Sequence, residues 1–391
     1  MSRVQQLFHD PLKVNAGLIL AAFGSMFFLP SQSTTAIFTY LLGVLMLWQV
    51  PRWRRYLTDP VVIMSGLLLG YLTLSSLWSE TDEPEKAVSI GVRALSVLLF
   101  LVAFSECWQK GYLQRWFAKT LVLCGAGAAA VAIGYFFITN PEDGRLNGLG
   151  QLGAHVIAGL MFGVVLLFVL QSIREDASSR WRVMAAGCGI VLLAALVLTF
   201  SRNAWVSVLA GIGVYCCATR CRTPKQLLLL LIGLGLLGAL TLAAFFFTDE
   251  GRNFLLPRGD SFRPLIWSTI FERVWTQAPI FGLGILTPDD VLNGAILHPH
   301  PHSMYLAVLH QGGLVALGLF LTLISLVVRT LITHLRDPQA QVALGALTIG
   351  LLSYFLDGHE LVDRIGETWM LFWLPVAISL SLRFRLPIQE P

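Results

Sequence analysis

Histidines alternate with prolines in the segment Leu297–Tyr305, which reads Leu-His-Pro-His-Pro-His-Ser-Met-Tyr. A long apolar run follows it directly. Proline disfavours helix at the residue before it, so we predict that a helix begins just after His302 and holds this ring at the mouth of a helical bundle. Histidine titrates near neutral pH and can accept a proton in catalysis. A solvated His-Pro turn is the alternative interpretation.

Three alternating histidines also raise the question of a metal site. No carboxylate or cysteine stands at ligand spacing to them, and no Cys/His pattern in the chain is typical of zinc. The sequence therefore predicts chemistry without a metal or other cofactor. Only His302 directly precedes the predicted helix, which favours this ring over His298 and His300 as the general base.

Arginines stand at three further turns between apolar runs. Arg202 lies in the short connection Phe200–Trp205, and Arg145 lies in the glycine-rich turn 140–151. Arg263 lies near the start of an amphipathic segment. An arginine beside lipid is costly unless it is paired or faces a wet cavity, and its planar fork binds phosphate oxygens. Contact with lipid headgroups is the alternative reading for these arginines.

The amphipathic segment, Ser261–Trp275, is predicted to be a helix on the membrane interface. Its apolar residues recur at helical spacing, Asp260 or Ser261 can cap it, and Pro264 suits its first turn. Arg263 would then lie at the helix N-terminus, where backbone N–H groups and the helix dipole favour an anion.

A polar group, Asp357-Gly358-His359-Glu360, follows another apolar run. Its acidic residues could orient a histidine or pair with an arginine, and we predict that Asp357 orients His302. An ordinary polar loop end is the alternative.

Apolar runs of membrane-spanning length must position these groups. Hydrophobic residues make up 55% of the 391 residues and charged residues only 13%, about half the share of an average soluble domain. A span needs roughly 20 apolar residues. The tenth run contains Gly312 and Gly313, so we predict a short first helix followed by the span. Twelve runs are predicted to span: 14–30, 34–50, 60–78, 87–106, 117–138, 153–173, 181–200, 204–219, 226–247, 303–333, 339–356 and 367–383.

Lysine and arginine in short loops indicate sidedness. With the N-terminus in the cytoplasm, the cytoplasmic segments hold 18 of the 27 basic residues and the outer side holds 9. Both termini are therefore predicted to be cytoplasmic, and the loop 248–302 lies outside. None of the six cysteines falls in an outer loop. The sequence thus predicts an all-α integral membrane protein, with residues 1–391 forming a single polytopic domain.

The distribution of charge bears on the class of function. A transporter predicts ionisable residues at mid-span along a pathway. Here the spans are almost free of charge, and the polar groups gather at the outer face. This favours an enzyme at the outer face of the inner membrane, with a transporter as the alternative of another class.

Three segments in this order resemble the O-antigen ligase and polymerase superfamily of bacterial envelope glycosyltransferases. The turn Gly144–Gly148 is also similar to that of family members. Two positions depart from the common pattern, with Asn203 after the arginine and Ser303 after the histidine. The segments are Ser201–Trp205, then Arg263–Trp267 leading to Pro279 and Gly282–Gly284, then His302–Leu306 leading to Gly312–Leu314.

The resemblance is greatest to the ligases that join O-antigen to the lipid A–core. It implies a GT-C-like membrane glycosyltransferase, with about 12 transmembrane helices and one large periplasmic loop, 248–302, that contains short amphipathic helices. The donor would be a glycan on undecaprenyl diphosphate, and the acceptor a sugar of the lipid A–core. By the same resemblance Arg202, Arg263 and Arg145 bind the donor diphosphate, and His302, assisted by Asp357, is catalytic. Transfer would invert the anomeric configuration and need no metal. An O-antigen polymerase or a protein O-glycosyltransferase of the same superfamily remains open.

Overall fold

The computed structural model describes residues 10–49, 53–81, 83–221, 223, 225–227, 263–293, 296–298, 300–358 and 360–384. The ninth predicted span, the Asp260 and Ser261 caps and His359 lie outside these residues. The described helices are α1 (Pro11–Ser25), α2 (Gln32–Trp48), α3 (Pro60–Leu74), α4 (Pro84–Gln109), α5 (Phe117–Thr139), α6 (His155–Glu175), α7 (Ser179–Leu198), α8 (Arg202–Arg220), α9 (Arg263–Gln277), α10 (Met304–Thr333), α11 (Pro338–Leu356) and α12 (Leu374–Arg383), the last preceded by a π-helical turn, Trp369–Trp373.

Seven of the described helices are long and apolar enough to cross a membrane: α3 with its 3₁₀ extension to Trp78, α4, α5, α6, α7, α10 and α11. Shorter apolar helices are α2 and the segment Trp369–Arg383. This all-helical pattern is that of an integral membrane protein. The full count of twelve spans and the periplasmic position of the large loop remain predictions.

Asp-Pro pairs begin three of the helices. Asp10, Asp59 and Asp337 each precede a proline at the first helical position, and each carboxylate accepts a hydrogen bond from the backbone N–H two residues later. Proline suits this position because its missing N–H would have no partner there, and the carboxylate pairs with one of the N–H groups that the first turn leaves unpaired. These helix starts therefore follow from local sequence.

Small residues allow the central helices to approach closely. A Cβ on Gly211 of α8 would lie 2.7 Å from the carbonyl oxygen of Gly345 in α11, and a Cβ on Gly345 would lie 2.9 Å from that of Gly211. A Cβ on Gly163 of α6 would overlap the Val208 side chain of α8 at 2.0 Å. Glycine is the residue that permits such contacts between helices. The packing of α8 against α6 and α11 brings the start of α8 and the end of α11 to the same end of the bundle.

The helix α10 is interrupted at Gly313, where φ is 62° and ψ is −160°. The interruption confirms the prediction of a short first helix followed by a span. Backbone groups left without helical partners pair with the loop before α10: Leu314 N–H donates to Pro279 and Val315 N–H to Ile280, while the His310 and Gln311 carbonyls accept from Leu283 and Gly284. The non-helical backbone is therefore satisfied inside the protein, as a membrane environment requires.

The described part of the large loop contains more than the predicted amphipathic helix. The helix is present as α9 and extends two residues past its predicted end. Two three-residue strands follow, β1 (Val291–Asn293) and β2 (Ile296–His298), which pair antiparallel with Val291 opposite His298. The sequence analysis made no prediction of these strands. The segments are too short to show the alternating pattern by which a strand is recognised in sequence.

Candidate functional site

His302 lies one residue before the N-cap of α10, as predicted. Its φ of 49° places the backbone in the left-handed region, which few residues other than glycine adopt. Holding a residue there costs about 1 kcal/mol or more, and such strain concentrates at functional sites. The side chain is 32% exposed, so one side of the ring is packed while the other can meet a substrate.

Asp357 is the carboxylate that faces this histidine. Its Oδ1 lies 3.8 Å from His302 Nδ1, an ion-pair distance longer than a hydrogen bond. Burial alone would raise the pKa of Asp357, but the His302 ring, the Gly358 N–H and the charge of His300 together hold that pKa below its usual value. The structure therefore brings together the predicted base, which precedes the start of α10, and the predicted orienting residue, which follows the end of α11.

His300 also contacts His302. The two ring centroids lie 3.9 Å apart, and the backbone N–H of His302 donates a hydrogen bond to His300 Nδ1 at 3.3 Å. An accepting Nδ1 carries no proton, so neutral His300 has its proton on Nε2. His300 is therefore held by its contacts with His302, which the sequence analysis did not predict.

The helix α9 is joined to the histidine segment by a tryptophan. Trp267 Nε1 donates to the carbonyl oxygen of Pro301 at 3.1 Å, so the residue preceding His302 is fixed by a side chain one turn along from Arg263. Arg263 is the first described residue of α9 and is partly buried. Its Nε is buried without a hydrogen-bond partner among the described residues. The guanidinium therefore keeps a donor for a ligand.

Arg202 and Arg145 both lie near the connection between α7 and α8. Arg202 is the first residue of α8, which Ser201 caps by accepting from Ala204 N–H at 3.3 Å. The turn that carries Arg145 is tied to the end of α7 by the Leu146 N–H, which donates to the Leu198 carbonyl at 2.9 Å. Both arginines therefore lie at the end of the bundle that also carries His302, as predicted.

His155, the first residue of α6, is a partner of Arg145 that the sequence analysis missed. Its Nε2 lies 3.0 Å from Arg145 Nη1. An arginine is always protonated and can only donate, so this nitrogen accepts and the neutral ring carries its proton on Nδ1. The sequence did contain a signal for this contact, because His155 is a polar residue near the start of a predicted span, ten positions after Arg145.

Two carboxylates behind Asp357, Asp363 and Glu367, were missed as well. Glu367 Oε2 is buried without a hydrogen-bond partner among the described residues. Burial and the Glu360 charge raise the pKa of Asp363 to about 6. Arg93 of α4 faces two of these groups, with its Nη1 3.5 Å from Asp363 Oδ1 and 3.8 Å from Glu360 Oε2. A group of acidic side chains therefore lies behind Asp357, on the side away from His302.

Over the described part of the chain, no three His, Cys, Asp or Glu side chains are grouped closely enough to hold a metal ion. The arrangement has instead a histidine with a carboxylate behind it and arginines at two helix starts. A neutral histidine can take a proton from a hydroxyl, and arginines can bind a diphosphate and offset its growing charge. These are the parts that a glycosyl transfer from a lipid diphosphate requires.

Comparison with known proteins agrees with this chemistry. Residues 187–321 match a family model described as O-antigen ligase. The chain is also similar to an O-antigen ligase of Pseudomonas aeruginosa, with 27% identity over 399 aligned positions that cover 97% of this chain and 94% of that protein. These matches confirm the resemblance that the sequence motifs indicated. The matched segment includes Arg202, Arg263 and His302.

Proposed function

Because the chain resembles O-antigen ligases over nearly its whole length, we propose that it transfers a glycan from undecaprenyl diphosphate to a sugar hydroxyl of the lipid A–core. The reaction would take place at the periplasmic face of a bacterial inner membrane, in a single membrane domain with both termini in the cytoplasm. The distribution of basic residues, 18 on the inner side and 9 on the outer, supports this orientation.

In this mechanism His302 is the general base. Its ring takes the proton of the acceptor hydroxyl while the oxygen attacks the anomeric carbon, and the bond from that carbon to the diphosphate oxygen breaks. A single displacement of this kind inverts the anomeric configuration. Asp357 stabilises the protonated ring, in keeping with the 3.8 Å separation and the lowered pKa of its carboxyl.

Arg202, Arg263 and Arg145 bind the donor diphosphate. As the glycosyl bond breaks, negative charge grows on the leaving group, and fixed guanidinium groups stabilise it without reorganisation. Arg202 and Arg263 also lie at or near helix N-termini, where the N–H groups and helix dipole add to the attraction for an anion. The hydrogen bond to His155 holds Arg145 in place.

The observation that carries this proposal is the placement of His302. A histidine in a left-handed backbone conformation, facing a carboxylate and next to the helix that begins near Arg263, is positioned for proton transfer beside an anion site. Packing of α10 against α11 does not by itself require a histidine in this backbone conformation or a carboxylate facing it.

A purified system tests the proposal directly. Protein in nanodiscs is mixed with undecaprenyl diphosphate-linked O-antigen and lipid A–core, and the capped product is separated by gel electrophoresis. We expect product from the wild type and almost none from His302→Ala. The matched control is His334→Ala, since His334 lies at the opposite end of α10 and is half-buried there. Equal turnover by both variants would refute the mechanism.

The same assay separates the two related activities. An O-antigen polymerase would extend the glycan on a second lipid diphosphate, and a protein O-glycosyltransferase would label a polypeptide acceptor. Product formed only with lipid A–core supports the ligase. Transfer only to a second lipid-linked glycan would indicate a polymerase instead, and transfer only to protein would indicate a protein O-glycosyltransferase.

A further inference from the structure

A cavity of about 370 Å³ lies between α4, the loop before α10 and the loop after α11. Its polar lining comes from Lys86, Ser89 and Arg93 of α4, Asp289 and Gln311, and Glu360. The three α4 residues recur at spacings of three and four, which puts them on one face of the helix. This volume falls in the range of small-molecule sites in proteins.

The walls of the cavity are held by hydrogen bonds. Ser75 Oγ and Ser79 Oγ each accept from the loop before α10, from Ile285 N–H and Leu286 N–H respectively, both at 3.0 Å. On the opposite wall, the carbonyl of Glu360 accepts from Thr368 Oγ1 at 3.1 Å. A cavity between walls fixed in this way is a formed site rather than a gap between mobile loops.

The charges that line the cavity indicate its ligand. Two cations, Lys86 and Arg93, and two carboxylates, Asp289 and Glu360, cancel formally. A site for a phosphate or an anionic headgroup would need an excess of positive charge. Balanced charges with a hydroxyl, an amide and aliphatic side chains suit a neutral polyol, whose hydroxyls both donate and accept. Arg93 Nε is also buried without a hydrogen-bond partner among the described residues, so it has a donor to offer.

The cavity is within reach of the proposed base. Glu360 follows Asp357 by three residues, so their Cα atoms are at most about 11 Å apart. Asp357 in turn faces His302 at 3.8 Å. Gln311 lies two turns along α10 from the start of the helix, and its carbonyl accepts from Gly284 N–H at 3.0 Å. A glycan seated in the cavity could therefore present its next sugar to His302.

We propose that this cavity binds the acceptor oligosaccharide, taking one or two neutral sugars next to the hydroxyl that receives the glycan. The inference rests on the proposed ligase function and adds a subsite for the acceptor. Arg93, Asp289 and Glu360 hydrogen-bond to the sugar hydroxyls, while Arg202 and Arg263 remain with the donor.

The experiment fills the cavity without touching the catalytic groups. Ser89→Phe places a ring in the cavity, and the matched control Val88→Phe adds the same ring on the neighbouring exposed position of α4, which does not line it. We expect Ser89→Phe and Glu360→Ala to raise the acceptor KM by about tenfold or more, as expected for lost hydrogen bonds. The donor KM should stay the same, and Val88→Phe should match the wild type.

Binding without donor gives a second, independent measurement. The probe is core oligosaccharide released from lipid A, titrated by NMR against protein in nanodiscs of neutral lipid, with inorganic phosphate and phosphatidylglycerol nanodiscs as competing conditions. Saturable binding that Ser89→Phe abolishes supports the proposal. Binding that is unchanged by Ser89→Phe, or displacement by phosphate or phosphatidylglycerol, overturns it. If the wild type binds oligosaccharide here yet transfers nothing to lipid A–core, the ligase function fails and the glycan subsite stands.

Discussion

Asp357 Oδ1 lies 3.8 Å from His302 Nδ1, although 55 residues separate them in the chain. His302 precedes the start of α10 and Asp357 follows the end of α11, and the two helices run antiparallel. Such a carboxylate favours the protonated form of the ring, which is the form that exists after the acceptor proton has been taken.

His302→Ala should therefore lower kcat by roughly 10²–10⁴-fold, the usual contribution of a positioned base. Asp357→Asn should lower it less, because it removes the negative charge that stabilises the ring once the ring has taken the acceptor proton. Initial rates with saturating substrates measure both effects. A kcat for Asp357→Asn equal to that of the wild type would show that the carboxylate does not act on the base.

Arg202→Ala and Arg263→Ala should each lower kcat/KM for the donor by about 100-fold or more, since each removes a charged group from the diphosphate. Lysine at either position should restore little, because an ammonium cannot bind two phosphate oxygens in the bidentate geometry of arginine. Arg182→Ala, at the exposed opposite end of α7, is the control. Near wild-type transfer by Arg263→Ala would exclude that residue from the donor site.

Gly313→Ala should destabilise the folded protein. Its φ of 62° costs a residue with a Cβ about 1–2 kcal/mol, and the added Cβ would lie 2.3 Å from the Ile280 carbonyl oxygen. Gly318→Ala on the same helix meets no atom within 4 Å and serves as the control. Thermal unfolding in detergent, followed by tryptophan fluorescence, should show a lower midpoint for Gly313→Ala only. Equal midpoints would mean that the interruption of α10 is not required.

The orientation in the membrane can be tested by labelling. In a variant without the six native cysteines, Glu142→Cys should react with a membrane-impermeant maleimide from the periplasm, and Ala177→Cys should react only after the membrane is opened. Both positions are exposed in the folded protein, so a difference in labelling would report the side of the membrane and not burial. The reverse pattern would place His302 in the cytoplasm and remove the proposed substrates.

The sequence by itself determined the helices, because length, apolar runs and Asp-Pro starts act locally. It also predicted the break at Gly312-Gly313 and the placement of Arg202, Arg263 and His302 at one end, since counting the apolar runs assigns each of these residues to the same side of the predicted bundle. Periodicity could not predict the short strands β1 and β2, whose three residues each are too few to form a pattern.

Tertiary structure decided which of these ends meet. The contact of His302 with Asp357, the pairing of Arg145 with His155, and the cavity beside Arg93 depend on which helices pack together. Apolar side chains in lipid carry little information about their neighbours, because every apolar face is equally satisfied by lipid or by another helix. Small residues such as Gly211 and Gly345 select the partners by letting two backbones approach, and that choice becomes visible only when both helices are seen together.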